Sequence, residues 1–300
     1  MAIQDLRLDL VPKLRKLEVE ARREILSKTL EGEFSTMFKG RGIEFSGFRQ
    51  YTPNDDAHFI DWSASLRAKD ILIREYEPFK SFNAFILLDV SNSMLFSSQD
   101  KLKVEYAAEL ASALAMALLS SDIAVGFAMF TDQFVQRLHP RTGRKTIFEI
   151  NKMLSNPNNY GGKFDLKRVV KLTKSFLKES SMIIIISDFL GMEEGWTKPF
   201  LLLAKSNDLI GIMVRDPRDR TLPKSGMVVA EDPYSKQKLV IDASQYKKLY
   251  KEYVEKEEAK IKNSFEKMRG GFVLLETPQD YYMPLVKLFK RKAHMLQISR

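Results

Sequence analysis

Phe85-Ile86-Leu87-Leu88-Asp89-Val90-Ser91-Asn92-Ser93 is an apolar run that ends in one carboxylate and two hydroxyls at alternate positions. An unbroken apolar run of this length has the pattern of a strand buried on both faces. Open α/β sheets bind ligands beyond the carboxyl ends of their strands, which is where Asp89, Ser91 and Ser93 fall. One carboxylate with two hydroxyls is a hard-oxygen donor set, suited to magnesium, manganese or calcium. The same three residue types also suit a helix cap or a tight turn.

The surrounding chain alternates. Strands are predicted at 83–89, 122–130, 182–187 and 208–214, with helices near 101–120, 144–155, 165–179 and 197–206 between them. That order predicts an α/β fold, a doubly wound and mostly parallel sheet of Rossmann type. A short strand at 134–138 is expected to pair antiparallel with 122–130 at the edge. The helix over 101–120 is rich in alanine (Ala107, Ala108, Ala111, Ala113, Ala115 and Ala117), so it can lie close against the sheet. Further on, 227–230 and 239–241 flank Asp232-Pro233-Tyr234-Ser235, a hairpin pattern. A charged helix over 243–269 carries an apolar stripe of Tyr246, Leu249, Tyr250, Tyr253, Ile261, Phe265 and Met268, and Gly270-Gly271 stops it. A strand at 272–275 and a helix at 280–293 follow. Residues 1–80 read as an arm, with an amphipathic helix over 8–30 and an irregular stretch over 31–80, ahead of the α/β domain of 81–300.

Composition excludes several chemistries. The 300 residues include no cysteine, so disulfides, a thiol nucleophile and cysteine-held zinc or iron–sulfur sites are ruled out. No apolar run is long enough to span a bilayer, and the N-terminus has no apolar signal core, so a cytoplasmic protein is expected. His58, His139 and His294 are far apart, there is no Gly-x-Ser-x-Gly elbow, and Gly162-Lys163 is followed by Phe164 where a phosphate loop needs Ser or Thr. Charge is uneven. Residues 1–80 hold 14 basic and 14 acidic side chains, whereas 136–178 hold 11 basic and 2 acidic, a local excess equal to the +9 of the whole chain. Lys167, Lys171, Lys174 and Lys178 recur at helical spacing, opposite Leu166, Val169, Val170, Thr173 and Leu177. Such a stripe is a solvated face or a contact for an acidic partner. The lack of interleaved aromatics and the scarcity of arginine argue against nucleic acid.

Other strand ends should reach the same rim. Ser187-Asp188 follows the strand 182–187, Thr131-Asp132 follows 122–130, and Gly161-Gly162-Lys163-Phe164-Asp165 leads into the basic helix. Asp89-x-Ser91-x-Ser93, the Gly-Gly loop and Ile186-Ser187-Asp188 resemble a von Willebrand factor A-type domain over about residues 82–215. The resemblance implies a divalent cation bound directly by the serines and held, often through water, by the aspartates. A partner carboxylate would complete its coordination.

A second motif precedes the first. It runs from Gly42-Ile43-Glu44-Phe45-Ser46-Gly47-Phe48-Arg49-Gln50-Tyr51 through Asp55-Asp56 and Ile60-Asp61-Trp62-Ser63-Ala64-Ser65 to Ile73-Arg74-Glu75-Tyr76-Glu77. This is similar to domain-of-unknown-function family fifty-eight. That likeness implies a bacterial or archaeal source and a working link to a MoxR-type AAA+ ATPase and its client. Within the motif, Arg49, Asp55, Asp56, Asp61, Arg67 and Arg74 are expected to form an internal ion-pair network that docks the arm on the sheet, and Trp62 to be core or interface.

The pattern departs from the family at the Gly-Gly loop, where a threonine is usual and Lys163-Phe164 stands instead. Two arrangements answer this. Water replaces the threonine oxygen and Asp89, Ser91, Ser93 and Asp188 still hold Mg2+ (or Mn2+ or Ca2+), or the Lys163 ammonium pairs with Asp89 and Asp188 and no metal is needed. The expected function is a non-catalytic adaptor for protein partners. The alternatives are a metal-dependent phosphoester hydrolase built on the same carboxylates and a scaffold whose site Lys163 fills.

Overall fold

The computed structural model describes residues 44–298 apart from 54, 78–82 and 225. The predicted helix over 8–30 lies outside the described residues. The motif segment begins with strand β1 (Glu44–Gln50), continues through helix α1 (Trp62–Ala68) and ends with β2 (Leu72–Glu77), which pairs antiparallel with β1. The irregular stretch expected over 31–80 is thus corrected for 44–77. Gly47 sits where the register shifts between Phe45 and Gly47, a bulge inside a strand. Among the described residues, two of the motif segment's ion pairs lie within it. Arg49 holds Asp55 through two bonds of 2.7 and 2.6 Å, and Arg74 Nε donates to Asp61 Oδ2 at 2.8 Å. Asp61 also caps α1 by accepting from the Ala64 amide. These carboxylates tie β1, α1 and β2 to one another. Trp62 is 66% exposed and so is not core.

The main sheet is built from β3 (Asn83–Asp89), α2 (Lys103–Ser120), β4 (Ala124–Phe130), β5 (Phe134–Arg141), α3 (Arg144–Leu154), α4 (Leu166–Phe176), β6 (Ser181–Ser187), α5 (Thr197–Ala204) and β7 (Asp208–Arg215). The chain then runs through α6 (Pro217–Arg220), a β8–β9 hairpin (Met227–Glu231 and Lys238–Asp242), α7 (Ala243–Lys267), β10 (Gly271–Glu276) and α8 (Tyr282–Ile298). Strand order is β10-β7-β6-β3-β4-β5, parallel throughout except for β5, which pairs antiparallel with β4 at the edge. The fold is α/β, as the alternation implies. β3 is central, with Leu88 level with Met129 on one side and Ile186 on the other. After β4 and β5 on one flank the chain crosses β3 to build β6 on the other, so the topological switch falls at the carboxyl end of β3.

Alternation along β3 serves two cores. Ile86 and Leu88 face Ala107, Ala111, Leu114, Leu285 and Phe289, while Phe85 and Leu87 face Val169, Val170, Phe200 and Phe265. The alanines of α2 are buried, which lets that helix approach the sheet closely. The stripe predicted on α7 is split. Ile261 and Phe265 lie in the core, but Tyr246, Leu249 and Tyr253 are exposed, because the first half of the helix emerges from the hairpin before it reaches the sheet. Phe265 packs against Phe189, Phe200 and Phe272 and lies so close to β7 that a Cβ on Gly211 would stand 2.7 Å from its ring. Phe265→Ala is therefore expected to lower the unfolding free energy in urea melts by about 3–5 kcal/mol. A loss below about 1 kcal/mol would show that α7 is not part of the core.

Candidate functional site

Asp89, the last residue of β3, is fully buried, and its two carboxylate oxygens have separate partners. Oδ1 accepts from the Ser91 amide at 2.9 Å and Oδ2 accepts from the Ser187 hydroxyl at 2.6 Å. The first bond turns the chain sharply after the strand. The second ties β3 to the end of its parallel neighbour β6. A short 3₁₀ turn, Asn92–Leu95, then carries the Ser93 hydroxyl to 3.3 Å from that of Ser91. The Gly-Gly loop locks this turn from the side. The Gly161 amide donates to Val90 O at 2.7 Å, the Gly162 amide to Asn92 Oδ1 at 2.9 Å, and the Asn92 amide to Gly162 O at 3.0 Å. Gly162 has φ +144°, and a Cβ there would meet the Thr131 methyl at 3.0 Å, so both the conformation and the space call for glycine.

Asp188 follows β6 and is also fully buried. Its Oδ1 accepts from the Leu190 amide at 3.0 Å, and its Oδ2 accepts from an ammonium at 2.8 Å. That ammonium belongs to Lys103, in the first turn of α2, which also donates to Asp219 Oδ2 at 2.7 Å. Lys163, given this part in one of the two arrangements drawn from the sequence, is exposed. The reason is geometric: the Gly-Gly loop presents its main chain to the rim, and the next side chain inward is Phe164, packed against Phe130. Asp132 turns toward Arg168 instead of the rim. Lys171, Lys174 and Lys178 are exposed and Lys167 half-buried, and among the described residues none of the four is in an ion pair.

The electrostatics follow from burial. Desolvation, reinforced by the neighbouring charge of Asp188, pushes the Asp89 carboxyl up to about 7, against the hydrogen bonds from Ser187 and Ser91. Burial opposes the charge on Lys103, but Asp188 and Asp219 outweigh it and hold the amine above its ordinary value. The cluster thus places three carboxylates, of Asp89, Asp188 and Asp219, against one ammonium. Its side chains beside the serines are oxygen donors, the type a hard divalent cation takes, but among the described residues no group of three or more His, Asp or Glu side chains is placed to hold a metal ion. Asp89, Ser91 and Ser93 would hold such an ion, which would supply the missing charge and a coordination position for an incoming oxygen.

A tyrosine stands over the serines. Tyr234, from the turn between β8 and β9, places its hydroxyl 3.2 Å from Ser91 Oγ and 3.1 Å from Ser93 Oγ. Burial raises this phenol to about 12, so it remains an O–H group able to donate to one serine and accept from the other. Asn92 Nδ2 donates to Pro233 O at 3.2 Å from the same turn. Lys103 and Tyr234 are the functional residues missing from the sequence reading. Lys103 had a signal: it shares a stripe with the buried Ala107, Leu110 and Leu114 at spacings of four, three and four. Tyr234 had none, because its partners lie 143 and 141 residues away in the chain.

The sheet and its rim define an α/β protein with an oxygen-lined candidate site at the topological switch point. The family model described as "Protein of unknown function DUF58" matches residues 47–262, and the chain belongs to that family. It is 28% identical over 226 residues to the uncharacterized protein Rv1480 of Mycobacterium tuberculosis, covering 74% of this chain and 70% of that one. Among solved structures, an aerotolerance-related membrane protein from Bacteroides fragilis is similar at 17% identity and TM-score 0.49, covering 71% of this chain and 99% of that one. A von Willebrand factor type A protein from Catenulispora acidiphila is similar at 9% identity and TM-score 0.39, covering 73% and 43%. The cytoplasmic assignment drawn from the sequence is corrected on this finding, since a protein of similar structure is named as a membrane protein. Among the described residues no helix is long and apolar enough to cross a membrane, but that absence does not fix a compartment.

A test follows from Asp89. Its folded value of about 7 lies above the ordinary 3.8, so the native state binds the extra proton between these values and stability falls as pH rises through that window. In chelator-treated protein, Asp89→Asn is expected to be more stable than wild type at pH 8 by an amount on the order of a few kcal/mol, with the gap closing toward pH 4. A difference in unfolding free energy that does not change with pH would contradict this account of the rim.

Proposed function

We propose that this chain is a non-catalytic interaction module that grips a partner's side-chain oxygen at the Asp89–Ser91–Ser93 rim through a weakly held divalent cation. The observation that carries the reading is the convergence of these residues with Asp188 at the carboxyl ends of β3 and β6, with fewer positive than negative charges among them. A partner carboxylate suits such a rim because it would complete both the charge balance and the oxygen shell. The exposed lysines of α4 offer a second, weaker contact for an acidic surface. By family likeness, the partner would be a MoxR-type AAA+ ATPase working on the assembly or remodelling of a client complex. Lys103 supports a second reading, in which the ammonium already stabilises Asp188 and the module works as a scaffold without metal.

Calorimetry with Mg2+ and Mn2+ separates the two, combined with capture of an ATPase from native lysate with and without chelator. The metal-bridged reading predicts binding heat that is lost in Ser91→Ala/Ser93→Ala, and release of the captured ATPase by chelator. Equal heats in wild type and the double variant would overturn it. Capture that is indifferent to chelator would favour the scaffold.

A further inference from the structure

Met227–Asp242 is attached to the rest of the molecule in an unusual way. Four of its apolar side chains, Met227, Val229, Leu239 and Val240, are each more than half exposed, so the hairpin buries little. Its base is tied by the Ala243 amide donating to Gly226 O, and α7 leaves from there. Beneath its strands lies a cleft of about 730 Å3, walled by Leu95, Phe96, Leu190, Leu222, Val228 and Ile241 and reaching Ser93 and Asn92. The polar contacts at the tip are the Tyr234 hydroxyl on Ser91 and Ser93 and the Pro233 carbonyl on Asn92. An element with few buried apolar contacts, spanning a void and held by neutral hydrogen bonds, belongs to the part of a protein that opens at low cost.

We infer that the 227–242 hairpin is a removable internal occupant of the rim. Its tip presents a side-chain oxygen to Ser91 and Ser93 and a main-chain carbonyl to the Asn92 side-chain Nδ2, the chemistry an external peptide segment would use there. Any metal or partner oxygen that takes both serines must first displace Tyr234. The affinity of the rim is then its intrinsic affinity reduced by the fraction of molecules with the hairpin lifted. This inference rests on the proposed role of the rim for its consequence, but the lid itself is testable without a metal.

Hydrogen exchange measured by mass spectrometry on the full chelated chain is the experiment. It compares wild type, Tyr234→Phe and Ser91→Ala/Ser93→Ala, with thermal melts to confirm folding. Amides of 227–242 are expected to exchange about threefold to tenfold faster in both variants, the range set by losing one or two neutral hydrogen bonds. Adding Mn2+ to wild type is expected to speed exchange in the hairpin, and Tyr234→Phe is expected to bind Mn2+ about threefold to tenfold more tightly. Unchanged hairpin exchange in both variants would overturn the lid. Slower exchange on adding Mn2+ would also overturn it, because Tyr234 would then be a ligand and not an obstacle. Faster exchange in both variants with no response to Mn2+ in any protein would uphold the lid and count against the metal-bridged function instead.

Discussion

The Lys103 ammonium between Asp188 and Asp219 is the contact on which the carboxyl edge of this sheet depends. A buried carboxylate carries a large desolvation penalty, and two close together add mutual repulsion. Asp89 and Asp188 end neighbouring strands and are both fully buried, so the edge needs a positive charge inside it. α2 supplies that charge because its alanines bring the helix close enough for its first turn to reach over the strand ends. One ammonium therefore joins α2, the end of β6 and α6, while the Asp89 carboxylate joins β3 to Ser187 of β6. The remaining deficit of positive charge falls on Asp89, next to the two serines that Tyr234 covers.

Much of this could be read in the sequence. β3 and β6 were evident because a strand buried on both faces needs an unbroken apolar run. Asp89, Ser91, Ser93 and Asp188 were evident because they follow those runs directly. The sequence offered Lys163 as a compensating lysine, in one of two arrangements, because it adjoins the Gly-Gly loop. The loop uses its main chain at the rim, which leaves Lys163 in solvent. A lysine in the first turn of a helix reads as a solvated charge, and only its place on the buried stripe marks Lys103 as different. Tyr234 and the exposed half of α7 depend on how the hairpin folds back, and no local pattern encodes that. The β1–β2 pair was missed for another reason: a glycine at a bulge looks like a break in the strand.

The rim is thus both charge-deficient and covered. Its hydroxyls and carboxylate suit a hard cation and a partner oxygen, while its own hairpin satisfies the same hydroxyls when neither is bound. That pairing explains how buried serines at a functional edge avoid being left unsatisfied in the resting molecule. Under the proposed function, it would also keep the rim from binding indiscriminately.

A double-mutant cycle on Lys103 and Asp188, read as unfolding free energy at pH 8, tests the central claim most directly. Lys103→Met alone is expected to cost about 3–5 kcal/mol because it leaves its acids buried without a counter-charge. Adding Asp188→Asn is expected to recover part of that loss, with a coupling energy of at least about 1.5 kcal/mol. Additive effects, or a cost below about 1 kcal/mol for Lys103→Met, would contradict the claim that this ammonium holds the edge together.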